Sequence, residues 1–195
     1  MNPPEADHGH GLATSVHETS GLELTAEEKS RILVGAVVMT EEEERKDGYL
    51  IGVISDTHGQ LRAEAAEVLK GVDLIIHAGD IGKPEVLAAL DKIAPVHAVR
   101  GNMDGHWAFG LPETEVVEVG DLLLYVLHDV FRLDIDPVAT GVVAIIHGHT
   151  HTAAIENRKG VLYLNPGSAA SFKSTPTVAL LRISGKSLQA EVVEL

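Results

Sequence analysis

The sequence predicts an α/β fold, and three observations predict it. Between Tyr49 and Val99 short apolar runs alternate with segments of helical spacing. Beyond Gly110 the apolar runs follow one another with turns between them and few helices. Several of these runs also end in glycine beside a carboxylate, amide or imidazole. The chain has 195 residues, 45% of them hydrophobic and 23% charged, which is enough apolar material for a core and argues against disorder.

The elements follow in order. Leu50 to Ile54 reads as a strand; polar residues continue to Gln60, and Leu61, Ala65, Val68 and Leu69 then recur at helical spacing. Val72 to His77 reads as a second strand, leading through Ala78 to Gly82 into a helix with Pro84 in its first turn and Val86, Leu90 and Ile93 on one face. A strand at Val96 to Val99 completes a βαβαβ unit, for which a parallel sheet with right-handed crossovers is expected. Further strands are expected at Glu115 to Val119, Leu122 to Leu127, Val142 to Ile146, Ala154 to Glu156, Val161 to Leu164, Thr177 to Ile183 and Leu188 to Val193. Gly120-Asp121, Arg158-Lys159-Gly160 and Ser184-Gly185-Lys186 supply turns between them, so this half reads as antiparallel or mixed sheet.

Residues 1–48 differ in character and read as an acidic, polar extension ahead of a domain at 49–195. Thr25 and Glu28 form a capping-box pattern there, and Met39 is an alternative start. The run Ile32 to Met39 is shorter than the roughly 20 apolar residues of a membrane span. It meets Glu41 to Glu44 where a leader would have small residues, so a cytoplasmic protein without membrane association is expected. His8 and His10 lack companion ligands and suggest only adventitious metal binding.

Composition excludes several functions. Lys plus Arg number 15 against 29 Asp plus Glu, a formal charge of 15 minus 29, or -14, which disfavours a nucleic-acid binder working by bulk charge. With no cysteine there is no disulfide, thiolate nucleophile or Cys-held zinc. Gly185-Lys186-Ser187 resembles the end of a phosphate loop, but Leu180 stands where that loop needs glycine. Patterns for dinucleotide binding, zincins and α/β-hydrolases are missing.

Five strand ends carry the chemistry: Asp56-Thr-His58-Gly59, Gly79-Asp80, Arg100-Gly101-Asn102-Met103-Asp104, His128-Asp129 and His147-Gly148-His149-Thr-His151. In open α/β sheets the carboxyl ends of strands converge on one crevice, so these segments are expected to meet. Asp, Asn and His together suit a borderline divalent metal, with carboxylates supplying charge and able to bridge two ions. Residues 56 and 58, or 149 and 151, can project the same way by strand alternation.

On the ordered set D-x-H, G-D, G-N-x-D, a lone His and G-H-T-H, followed by Asn165-Pro166-Gly167-Ser168, the sequence from about Leu50 onward resembles the calcineurin-like metallophosphoesterases, within them the small prokaryotic phosphodiesterase branch. The resemblance implies a four-layer αββα sandwich of two mixed β-sheets with two divalent transition-metal ions, manganese ahead of iron, zinc or nickel. It implies that Asp56, His58 and His151 hold one ion, that Asn102, His128 and His149 hold the other, and that Asp80 bridges. Asp129 follows His128 where the family often has glycine. Met103 stands where better-known phosphatases of the superfamily carry a leaving-group histidine, a lack the phosphodiesterase branch shares.

The activity so implied is hydrolysis of a small phosphoester, most simply a diester, by a hydroxide shared between the two ions. Asn102 and Asp104 are the candidate catalytic residues beyond plain ligation, and Arg100 and His106 the candidate substrate-binding ones. His77, His97 and His147 are read as structural or supporting. Two other readings stand beside this one: a non-catalytic protein-interaction scaffold, since a retromer subunit shares the architecture, and a phosphomonoesterase or nuclease. A homo-oligomer is compatible with the sequence.

Overall fold

A computed structural model of the chain describes residues 48–170 and 175–195. The extension, apart from Gly48, lies outside the described residues, and with it the Thr25 capping pattern, His8, His10 and Met39. The elements are β1 (Tyr49–Ile54), α1 (Ala63–Val68), β2 (Leu74–His77), α2 (Pro84–Leu90), β3 (Val96–Ala98), β4 (Thr114–Val119), β5 (Leu122–Leu127), α3 (Pro137–Thr140), β6 (Ala144–Ile146), β7 (Ala154–Arg158), β8 (Val161–Asn165), β9 (Thr177–Ser184) and β10 (Ser187–Glu194). Every strand expected from the sequence is present, with small shifts at the ends.

They form two five-stranded mixed sheets, ordered β10-β9-β1-β2-β3 and β4-β5-β6-β8-β7. β1, β2 and β3 are parallel, with Ile54 opposite His77 and His77 opposite Ala98, so the chemistry-bearing ends of three strands lie side by side. β5, β6 and β8 run parallel in the second sheet. β9 crosses back to pair antiparallel with β1 in the first sheet, and β10 pairs antiparallel with β9 at its edge. The physical reason is burial. β9 is apolar on both faces, with Val178 and Leu180 on one and Ala179, Leu181 and Ile183 on the other, which suits a central position, and only long-range packing decides which sheet offers one.

Strand alternation divides the core into layers. Ile51, Val53, Ile76, Leu124, Val126, Ile146, Leu164 and Leu181 meet between the sheets. On the far side of the first sheet, Ile54, Ile75 and Val178 pack on Ala65, Leu69, Val86 and Leu90 from α1, α2 and their edges. Gly52 faces that layer, and a Cβ there would occupy the place of a Leu69 methyl, so glycine lets α1 approach.

The outer face of the second sheet is thinly covered. Tyr125, Leu127, Ile145 and Tyr163 lie under Val130, Leu133 and Ile135, carried by a 3-10 turn at Val130–Arg132 and the segment before α3. α3 is capped by Asp136, whose side chain accepts from Val138 N–H and Ala139 N–H, and Gly141 in the left-handed conformation ends it after one turn. Among the described residues no helix is long and apolar enough to cross a membrane.

Candidate metal centre

The five strand ends meet. Asp56 and His58 follow β1, Asp80 follows β2, Asn102 follows β3, His128 follows β5, and His149 and His151 follow β6. Their side chains are not aimed by strand alternation, as the 56/58 and 149/151 spacing suggests. Asp56, His58, Asp80, His149 and His151 instead adopt positive φ, between 46° and 69°. Only one other non-glycine residue among the described ones does so, Lys159 in the β7–β8 turn. Left-handed backbone at a residue with a Cβ costs energy and persists where the surroundings impose it, so its concentration on these donors marks a built site.

Two trios of donor atoms lie within 4.8 Å of one another: Asp56, His58 and His151, and Asp56, Asp80 and His128. In the first, His151 Nε2 is 3.0 Å from Asp56 Oδ1 and 3.3 Å from His58 Nε2. In the second, His128 Nε2 lies 3.4 Å from Asp80 Oδ2. Asn102 Oδ1 sits 3.1 Å from His128 Nε2 and 3.0 Å from His149 Nδ1, bringing the remaining two donors to the same place. All seven sequence-derived ligands therefore gather, the carboxylates and His128 buried, His58, Asn102, His149 and His151 exposed at the rim. Asp56 is the carboxylate common to both trios, and Asp80 joins the second with His128.

The donors fit divalent cations. Asp56 Oδ1 is buried and makes no hydrogen bond, with His151 Nε2 3.0 Å away. Its other oxygen accepts from Ser55 Oγ at 2.7 Å and His149 N–H at 3.2 Å. Burial pushes the Asp56 carboxyl above its usual range, against the opposing pull of Ser55, His128 and His151. A buried carboxylate oxygen with nothing to accept from, facing imidazole nitrogens, is the environment a cation completes.

His128 donates Nδ1–H to Ala78 O at 2.7 Å, which aims Nε2 at Asp80 and Asn102. Burial alone would lower His128 and raise Asp80, but the bond between them, with Ala78 O and Met103 N–H, outweighs it. His128 is held above its ordinary value and Asp80 below.

Neighbouring residues hold this arrangement. Asn165 donates to Gly148 O at 2.9 Å and Thr150 Oγ1 at 3.0 Å while accepting from Gly167 N–H, which shapes the turn carrying His149 and His151. Ser168 Oγ donates to Asp56 O. His77 is fully buried, accepts Gly79 N–H at Nδ1, and so donates Nε2–H to Thr57 Oγ1 at 2.9 Å; burial, with His128 nearby, lowers it to about 3. At Gly148 a Cβ would strike Ser55 Oγ and lie 2.8 Å from Asp56 Oδ2, so only glycine fits between the two ligand segments. Asn165 and Ser55 received no role from the sequence; the Asn-Pro-Gly-Ser run that begins at the last residue of β8 was the available signal for Asn165.

The other candidates fall into place around a cleft of about 400 Å³ beside His128 and His149. Arg100 lines it, hydrogen-bonded to Glu113 and 5.6 Å from the Phe109 ring centre. Asp104 lines it too, but its two oxygens accept from Gly82 N–H and Gly101 N–H at 2.7 and 2.8 Å, which ties the Asn102 loop to the Asp80 loop. His106 packs edge-on to Phe109 and is not among the residues lining the cleft. Asp129 caps the 3-10 turn by accepting from Phe131 N–H. His97 pairs with Glu115 across the two sheets, and His147 is buried beside Asn165, away from the donors.

Two stacked mixed sheets with carboxylate, amide and imidazole donors gathered above them define the metallophosphoesterase class. The chain belongs to the calcineurin-like phosphoesterase superfamily, whose domain profile matches residues 49–186. A protein of Methanothermobacter thermautotrophicus named a probable metallophosphoesterase is 38% identical over 157 residues, covering 74% of this chain and 91% of that one. A solved structure described as a novel archaeal phosphodiesterase superposes with TM-score 0.63 at 27% identity, covering 74% of this chain and 99% of that one. Vps29 of Entamoeba histolytica complexed with zinc is also similar, with TM-score 0.57 and 26% identity over 74% of this chain and 98% of that one.

Proposed function

We propose that the chain is a phosphodiesterase that hydrolyses a small phosphoester with two divalent cations, manganese first among them. The observation that carries this reading is the buried, unpartnered Asp56 Oδ1 at the junction of two donor trios. Asp56, His58 and His151 would hold one cation and Asn102, His128 and His149 the other, with Asp80 bridging them and Asp56 beside both. Bound there, divalent cations supply positive charge that draws in a phosphate against the -14 of the chain and acidify water toward neutral pH.

The chain's own residues do the rest. Ala78 O keeps the His128 proton on Nδ1, and the left-handed turns hold His149 and His151 outward. Arg100, a planar donor fork at the cleft, turns from Glu113 to an ester oxygen. Met103 is 67% exposed at the position following Asn102, and a thioether donates no proton to a departing oxygen. Esters with good leaving groups are therefore the favoured substrates.

Turnover of an aryl phosphodiester and its monoester, with manganese supplied and then chelated, tests this. The diester is expected to react faster and only with metal; faster monoester cleavage overturns the diester assignment. Likeness to Vps29 supports the scaffold alternative, and because a zinc complex exists there, metal binding by itself does not separate the two readings; turnover does.

A further inference from the structure

A second cavity of about 360 Å³ lies on the outer face of the second sheet. Among its lining residues are Phe131, His147, Thr150, Arg158 and Tyr163. It reaches the segment that carries two of the donors, because Thr150, which lines it, stands between His149 and His151 in the chain. We propose that this cavity receives the neutral heteroaromatic ring of one ester arm, a nucleobase, while the phosphate sits at the donors. The inference rests on the phosphodiesterase reading and names its substrate class.

Three features point to such a ring. His147 is 93% buried yet lines the cavity, and its Nδ1 faces the Asn165 amide at 3.3 Å. A buried imidazole in the wall of a pocket suits the polar edge of a base.

Phe131 is 85% exposed, although its backbone is pinned by the Asp129 cap, so the ring is offered from a fixed point. Arg158 lies over the Tyr163 ring at 4.3 Å from its centre, a second planar surface on which a base stacks. The lining is also close to neutral, because Glu156 binds Arg158 at 2.7 and 2.9 Å. A further phosphate or carboxylate finds no free cation there, whereas an uncharged ring does not need one.

The test compares two esters with the same leaving group on the full chain with manganese: thymidine p-nitrophenyl phosphate, which carries a base, and methyl p-nitrophenyl phosphate, which does not. The wild type is expected to favour the nucleoside ester in kcat/KM by about tenfold, the lower range for one stacked base. Phe131→Ala and Arg158→Ala, both at exposed side chains, bring that ratio toward one. Val138→Ala, exposed outside the cavity, keeps it.

A wild-type ratio near one, or an undiminished ratio in both cavity variants, overturns the assignment. Turnover of neither ester defeats the phosphodiesterase reading instead. The cavity is then tested by adding thymidine and following the Thr150 and Tyr163 amide resonances: shifts that weaken in Phe131→Ala support it, and their absence in the wild type overturns it.

Discussion

Replacing Asp56 by asparagine should stabilise the metal-free protein while abolishing its response to metal. Asp56 is fully buried, and one of its carboxylate oxygens makes no hydrogen bond. Burial disfavours the charged form of that group, which raises the carboxyl's pKa. A group whose folded pKa is raised in this way costs stability as pH rises through it, so the strain is present at neutral pH.

Asparagine has nearly the same shape. Its Oδ1 can take the contacts from Ser55 Oγ and His149 N–H, leaving Nδ2–H to face His151 Nε2, 3.0 Å from the present Oδ1. Relief of an unsatisfied buried polar group is worth about 1–3 kcal/mol. For a chain of this size each kcal/mol moves Tm by about 2–4 °C.

Scanning calorimetry of both proteins, with chelator and with saturating manganese, provides the assay. Without metal the variant should melt higher than the wild type. With manganese at about a hundred times Kd the wild type should gain about 2.7 kcal/mol, and the variant almost nothing. A metal-free variant melting below the wild type, or an equal metal response in both, would show that Asp56 is not a carboxylate waiting for a cation.

Three further outcomes follow from the geometry. His77, at about 3 in the folded chain against an ordinary 6.5, is protonated first in the unfolded state; its contribution is present above about 6.5 and lost as pH falls toward 3. Urea unfolding at a series of pH values should show His77→Gln losing up to about 1.4 kcal/mol per pH unit of that slope, and identical slopes would contradict it. Asn165→Ala removes donors to Gly148 O and Thr150 Oγ1, and calorimetric titration should find manganese bound about 10–100-fold more weakly. Unchanged affinity would mean that Asn165 does not position His149 and His151. Gly148→Ala drives a methyl into Ser55 and Asp56 and should destabilise the fold by about 1–3 kcal/mol, read by chemical denaturation; a neutral effect would place those segments farther apart than described.

Much of this was legible in the sequence because its signals are local. Apolar period, turn glycines and donors at strand ends mark β1 to β3, and the apolar run Leu122 to Leu127 marks β5. The placement of β9 beside β1 is not local, since it depends on which sheet offers a strand buried on both faces. The left-handed turns at Asp56, His58, Asp80, His149 and His151 were hidden for a related reason: nothing in a non-glycine residue announces positive φ, and neighbours impose it. Asn165 acts through three hydrogen bonds into the loops around it, a pattern only tertiary contacts reveal.

The central claim is that Asp56, Asp80, His128 and their rim of imidazoles form a seat for two cations. Anomalous diffraction from crystals of the full chain grown with manganese tests it most directly. The account predicts two peaks, one bounded by Asp56, His58 and His151 and the other by Asn102, His128 and His149, with Asp80 bridging them. A single peak, or peaks lying away from these side chains, would contradict it.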